Sequence, residues 1–212
     1  MKKNISVEEA VSMVKDGMTV LVGGFLACGT PNRIIDALAK SNVKDLTLVC
    51  NDSAFEDRGV GQLIVNKQVK KLIASHIGTN PTTGNQMNAK ELEVELVPQG
   101  TLAERIRCGG CGLGGVLTDT GLGTIVAEGK PVITVDGKEY LLEKPIRGDI
   151  ALLGASVADR HGNLIYRGTT QNFNPLMAMA ANVVIAEVSE SVEELAPETV
   201  KTPHILVDYI VR

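Results

Sequence analysis

Tryptophan is absent, tyrosine and phenylalanine number three each, and aromatic residues make up only 3% of the 212 positions. A core with so few rings has to be aliphatic. No stretch approaches the roughly 18 uninterrupted apolar residues of a membrane-spanning helix. The opening MKKNISVEEAVSMVKDG carries acidic residues where a secretory segment needs an apolar run of about seven or more. A soluble, cytoplasmic protein with no membrane partner is therefore expected. Like charge is never blocked: 21 Lys and Arg against 25 Asp and Glu give a net charge of −4, so a nucleic-acid partner finds no electrostatic footprint. The four cysteines, Cys28, Cys50, Cys108 and Cys111, read as reduced thiols in this setting. No linker rich in Pro, Ser or charge and no fixed-period repeat interrupts the chain, which predicts one domain over 1–212.

Glycine, by contrast, is plentiful at 22 residues, as turns of positive φ and close backbone approaches require. Ser6 and Glu9 form a capping box, and Val7, Ala10, Val11 and Val14 follow at helical spacing. Met18 to Val22 is the short apolar run of a doubly covered parallel strand. It leads into Gly23-Gly24, and Thr30 as N-cap with Pro31 in the first turn opens a helix whose buried stripe is Ile34, Ile35, Leu38 and Ala39. Strands follow at Leu46 to Val49, Lys71 to Ser75 and Leu92 to Val97, with a helical piece at Leu63 to Val65. Thr101 to about Cys108 is helical, and the glycine-dense segment after it is expected to be irregular. Asp136-Gly137 marks a type I′ hairpin, His161-Gly162-Asn163 the turn of a second hairpin spanning Ala151 to Tyr166, and Asn174-Pro175 the cap of a helix, Leu176 to Ala181, before a strand at Val183 to Ala186. The fold class is α/β, an open, mostly parallel sheet flanked by helices, with an antiparallel portion between about 130 and 167.

Ligands in such sheets bind beyond the carboxyl ends of the strands, where Gly23-Gly24, Asn51-Asp52 and His76 to Asn80 are expected to converge. Free N–H groups between Gly23 and Thr30, backed by a helix N-terminus, suit a phosphate, carboxylate or oxyanion; a tight turn without a ligand is the plainer reading. The segment is no ATPase loop, because Gly24 and Gly29 are followed by Thr30 and Pro31 rather than by lysine. Gly110 to Gly115 fits the dinucleotide pattern GxGxxG but follows a helix, not a strand, and is set aside. Cys108 and Cys111 lack the second ligand pair of a zinc site and read as small buried thiols. His76, His161 and His204 show no nucleophile partner, and Glu91, Glu93 and Glu95 alternate as one solvated face. The residues describe a ligand-binding protein with anion-friendly loops and no complete catalytic set.

The run from Asp16 to Pro31, DGMTVLVGGFLACGTP, resembles the first signature of the family I coenzyme A transferases. The likeness continues through NDSAF (51–55), SHIGTNPTTG (75–84), PQGTLAERIR (98–107), CGGCGLGG (108–115) and FNPLMAMAA (173–181). It implies that family's fold, related to the phosphosugar isomerases, and the A (alpha) subunit of a bacterial two-subunit enzyme acting on acetate, butyrate or acetoacetate. CoA would be a substrate, with no tightly bound cofactor and no metal. In the family a glutamate within Ser-Glu-Asn-Gly on the B (beta) subunit attacks the thioester in ping-pong fashion; no Glu-Asn-Gly occurs here. The resemblance therefore implies a B-subunit partner, in a heterotetramer of two A and two B chains, and no catalytic residue on this chain. By the same resemblance Gly24, Phe25, Leu26, Ala27, Cys28, Gly29 and Thr30 form the CoA-binding loop; Asn51, Gly78 and Thr79 are expected to line the cleft because they stand at strand ends. A stand-alone phosphosugar isomerase or sugar-phosphate sensor is the alternative.

Overall fold

The computed structural model describes residues 3–212. After β1 (Lys3–Ile5), helix α1 (Val7–Met13) starts as expected at Ser6. The Ser6 hydroxyl accepts the Glu9 N–H at 3.1 Å and the Glu9 carboxylate accepts the Ser6 N–H at 2.8 Å, satisfying donors that a helix start leaves open. Strands β2 (Thr19–Val22), β3 (Leu46–Val49), β4 (Val69–Ala74) and β5 (Glu93–Leu96) then alternate with helices α2 (Asn32–Ala39), α3 (Gly61–Val65) and α4 (Pro81–Asn88). Adjacent strands of this series pair in parallel. Side chains of β2 alternate between two cores: Val20 and Val22 join Ile34, Ile35, Leu38 and Leu63, while Leu21 joins Leu102, Ile106 and Met177. With both faces covered, the strands read as continuous apolar runs rather than alternating ones.

The second half of the chain folds back across the first. Helix α5 (Gln99–Cys111) leads to β6 (Val116–Thr118), β7 (Val132–Val135) and β8 (Lys138–Glu143), a separate antiparallel sheet in the order β6-β8-β7. Its β7–β8 hairpin turns at Asp136 (φ 49°) and Gly137 (φ 79°), the type I′ geometry expected of Asp-Gly. Next come β9 (Gly148–Ala158), β10 (Leu164–Ile165), α6 (Asn174–Met179), β11 (Ala181–Ser191) and β12 (Tyr209–Val211). The main sheet runs β1-β12-β11-β9-β2-β3-β4-β5, with β10 beside β9. Among the described residues, no helix is long and apolar enough to cross a membrane.

Three expectations change. First, α5 does not stop at Cys108. Gly109 and Gly110 lie inside it, where a Cβ would sit 1.9 Å from Ile146 O and 2.5 Å from Met179 Cβ; the glycines serve close packing, not irregularity. Second, β9 is not an arm of an antiparallel portion. It pairs in parallel with β2 and β11, and only Val157 and Ala158 meet β10 in antiparallel fashion. Its Ile150 to Leu153 are fully buried, as a central parallel strand demands. Third, α2 begins at Asn32 with Pro31 as N-cap and no side-chain cap from Thr30. The carboxylate of Glu187 on β11 fills that place, accepting N–H groups of Arg33 at 3.2 Å and Ile34 at 2.9 Å.

From β2 the sheet grows one way through β3, β4 and β5, and from β9 the other way through β11 and β12. The order therefore reverses between β2 and β9. In open parallel sheets, such a reversal opens a crevice at the carboxyl ends, and the loop leaving β2 lies there.

Candidate functional site

The loop from Gly23 to Thr30 is held from both sides. Gly24 N–H donates to Asn172 Oδ1 at 2.9 Å, and Gly24 O accepts from Asn51 Nδ2 at 2.7 Å. Asn172 Nδ2 reaches Cys28 O at 3.1 Å, and Asn174 Nδ2 reaches Gly29 O at 3.0 Å. Asn174 and Asn51 are almost wholly buried, so their amide N–H groups are satisfied by this backbone instead of water. A Cβ on Gly23 would lie 1.8 Å from Asn174 Oδ1, and one on Gly24 would lie 1.8 Å from Thr30 Oγ1. Gly24 also sits at φ 123°, so both close approach and backbone conformation demand glycine there.

Between the glycines, Phe25 and Cys28 pair across a two-residue turn: Cys28 N–H to Phe25 O at 2.8 Å and Phe25 N–H to Cys28 O at 3.0 Å. Leu26 (φ 48°) and Ala27 (φ 66°) occupy its centre. Positive φ at both positions is the type I′ pattern, normally filled by Asn and Gly. For L-residues with a Cβ it costs about 1–2 kcal/mol each, so the surroundings must hold the turn. Asp52, buried at the end of β3, accepts Leu26 N–H on Oδ2 at 3.1 Å and Ala54 N–H on Oδ1 at 2.8 Å. Burial pushes the Asp52 carboxyl up; the two N–H donors and the charge of His76 pull the other way without cancelling it, leaving the group above the ordinary aspartate range.

Counting donors shows what remains for a ligand. The N–H groups of Gly23, Gly24, Phe25, Leu26 and Cys28 are bonded within the chain. Among the described residues, those of Ala27, Gly29 and Thr30 find no acceptor in it. The N-terminus of α2 is already taken by Glu187, so the helix contribution expected from the sequence is directed at a side chain of the protein. Two clefts flank the loop. One, of about 160 Å³, is lined by Gly29, Thr30, Ser156, Thr170 and Glu187. The other, of about 420 Å³, is lined by Leu26, Ala27, Cys28, Asp36, Asp57 and Arg58. Carboxylates at this end all have partners: Asp36 accepts from Gln62 at 2.7 Å, Asp57 lies 3.8 Å from Arg58, and Glu56 takes the Thr82 hydroxyl. Among the described residues, no group of His, Cys, Asp and Glu is arranged to hold a metal ion.

The profile of the coenzyme A transferase family matches residues 4–212. The chain belongs to that family. It is 54% identical over 211 residues to the acetate CoA-transferase subunit alpha of Escherichia coli (strain K12), covering 99% of this chain and 96% of that one. It is 55% identical over 212 residues to the acetoacetyl-CoA:acetate/butyrate CoA transferase alpha subunit of Clostridium acetobutylicum, covering 99% and 97%. In fold it is similar to an acyl-CoA transferase from Escherichia coli O157:H7 solved as a thioester complex with CoA. The TM-score there is 0.88 at 24% identity, and the match covers 99% of this chain but 47% of that longer one. A sugar-phosphate isomerase or sensor gains no support from these relatives.

In this coenzyme A transferase, the strand ends singled out in the sequence do meet. Asn51 bonds Gly24, Ser53 N–H donates to His76 O at 3.1 Å, and Thr79 Oγ1 donates to Ala54 O at 2.7 Å. Gln99 at the start of α5 joins them, donating to Asn51 Oδ1 at 2.6 Å. Of the loop itself, Gly24 and Thr30 are buried, Leu26, Ala27 and Gly29 half-buried, and Phe25 and Cys28 exposed. Cys111 is exposed as well, unlike buried Cys108, and all four thiols are free; the expectation of buried thiols holds for only one of that pair. Glu95 is no member of a solvated row, since Arg105 Nη1 donates to it at 2.6 Å. His161 and His204 take structural hydrogen bonds, to Arg160 and Asn163. Asn172, Glu187 and Gln99 escaped the sequence, and Asn174, expected only to cap α6, is that helix's first residue, with Phe173 as N-cap, and turns its side chain to the loop. Phe173 to Ala181 stood out as a motif, but nothing local says that its Asn174, with Asn172 just before the motif, grips a loop 145 to 148 positions earlier.

Proposed function

We propose that this chain is the alpha subunit of a two-subunit, cytoplasmic CoA-transferase. It acts with a beta subunit that carries the attacking glutamate, in a complex of two copies of each, and needs no tightly bound cofactor. CoA passes between acetyl-CoA or butyryl-CoA and an acid such as acetoacetate. The observation that carries this reading is identity above half, over 99% of the chain, to relatives named as alpha subunits acting on those acids.

The chemistry follows from the division of labour. The partner's carboxylate adds to the thioester carbonyl, the C–S bond breaks, and CoA leaves as thiolate, so that a mixed anhydride of the acyl group and the glutamate forms. The thiolate then attacks the glutamyl carbonyl, releasing the first acid as its carboxylate and leaving a glutamyl-CoA thioester, which the second acid takes up by the reverse steps. The alpha chain, as a single domain, contributes the loop 24–30. Its unengaged N–H groups at Ala27, Gly29 and Thr30 face the acyl oxygen or an anionic part of CoA, where fixed dipoles stabilise charge without reorganising. The paired state of the neighbouring carboxylates supports a nucleophile supplied from outside.

The test is to purify the chain alone and together with a partner bearing Ser-Glu-Asn-Gly, then assay acetyl-CoA with acetoacetate or butyrate. Turnover is expected only for the pair, and full turnover by the lone chain refutes the split site. In the pair, Gly24→Val places a side chain against Thr30 Oγ1 in a left-handed position. It should raise KM for acyl-CoA or abolish turnover while assembly persists; unchanged kinetics would remove the loop from the site.

A further inference from the structure

Asp52 spends both carboxylate oxygens on backbone. Oδ2 takes Leu26 N–H and Oδ1 takes Ala54 N–H. Each contact holds a left-handed residue that has a side chain: Leu26 at φ 48°, followed by Ala27 at φ 66°, and Ala54 at φ 50°. These two segments nest against each other, because a Cβ on Gly59 would lie 3.1 Å from Ala27 Cβ and 3.3 Å from Ala54 Cβ. A void of only about 10 Å³ separates loop and strand end there, the volume of about one water. In a type I′ turn the N–H of the first central residue, here Leu26, has no partner within the turn, so Asp52 is its anchor.

We propose that Asp52 is a positioning residue for CoA transfer: it clamps the Phe25–Cys28 turn in its left-handed form and so aims the Ala27, Gly29 and Thr30 N–H groups at the substrate. It is not the nucleophile, since it is buried and both oxygens already accept hydrogen bonds. The inference rests on the reading of this loop as the CoA cradle. It also explains why an acid stands at this position: the amide of asparagine would set its NH₂ against one of two N–H donors.

A cycle in the assembled two-subunit enzyme tests it, combining Asp52→Ala with Leu26→Asn/Ala27→Gly, the pair that adopts a type I′ turn without help. In the native loop, Asp52→Ala should raise KM for acyl-CoA or lower kcat/KM about tenfold or more, the scale of a lost hydrogen bond to a charged group. In the Asn-Gly loop the same change should cost about threefold or less, since the turn no longer depends on the clamp. Asp52→Asn, which keeps one acceptor and the side-chain volume, should fall between and guards against a folding defect in the alanine variant. Equal losses in both backgrounds, or none in the native one, overturn the role of Asp52. Gly24→Val separates the two readings: if it leaves KM unchanged, the cradle assignment fails; if it raises KM while the cycle shows no coupling, the cradle stands and the clamp falls.

Discussion

Replacing Arg105 with methionine probes how the small antiparallel sheet is tied to the body of the protein. The guanidinium is nearly buried. It donates to Glu95 at 2.6 Å and to Lys144 O at 2.9 Å, and lies 3.8 Å from Glu143. Glu143, also buried, holds Lys130 at 2.6 Å, and Glu95 has Lys71 at 3.3 Å. Methionine keeps the length of the arginine stem, so the loss is mainly electrostatic. Breaking one partner out of a buried pair costs about 3–5 kcal/mol. Each carboxylate here keeps a lysine, which places the expected loss near the lower end, about 3 kcal/mol. For a chain of this size that lowers Tm by about 6–12 °C, readable by circular dichroism. The pH dependence gives a second check. Burial pushes the Glu95 carboxyl up, but the hydrogen bond and charge of Arg105, reinforced by Lys71, outweigh it and hold the group below the ordinary glutamate range. A folded pKa below the unfolded one, about 4.3, stabilises fully above that value, and the effect is lost as pH falls through the folded pKa. The gap between wild type and Arg105→Met should thus be widest at neutral pH and narrow below about pH 4. A loss under about 1 kcal/mol, the scale of a surface ion pair, or a gap that does not change with acid, would refute the reasoning.

Three further substitutions bear on other parts of the fold. At Gly154 on β9, a Cβ would lie 2.4 Å from Gly29 O and 2.8 Å from Thr30 C. Gly154→Ala should cost about 1–3 kcal/mol by overpacking and raise KM for acyl-CoA by displacing the loop, whereas Gly84→Ala, in open space on α4, should stabilise by about 0.5–1 kcal/mol; equal effects in a urea titration would contradict the packing argument. Asp159 takes the N–H groups of His161, Gly162 and Asn163 and the Asn163 amide. Asp159→Ala should cost about 2–3 kcal/mol. Burial pushes this carboxyl up, yet the Asn163 amide and the three N–H groups bring it below the ordinary range, so its contribution is present above about pH 4 and fades on acidification; a constant difference down to pH 2.5 would sink the assignment.

Elements whose signals are local were legible in the sequence. The Ser6–Glu9 box, the Asp136-Gly137 turn and the apolar run of β2 each depend on residues within a few positions of one another. The glycine loop was legible as a loop, and the motif order as that of a family. What failed was non-local: α5 runs through Gly109 and Gly110 because of Ile146 and Met179, and α2 is capped by Glu187 rather than by Thr30. Such contacts leave no periodicity to read.

Composition, turn chemistry and motif order by themselves determined an aliphatic α/β protein of the coenzyme A transferase family, because those properties are written in short-range spacing. Only the tertiary structure decided that β9 lies beside β2, that Asn51, Asp52, Asn172 and Asn174 converge on one loop, and which of its N–H groups stay unengaged. Hydrogen bonds between this loop and residues up to 148 positions away arise when chain closure brings them together, and the order of the strands, not the identity of any neighbour in sequence, sets that meeting.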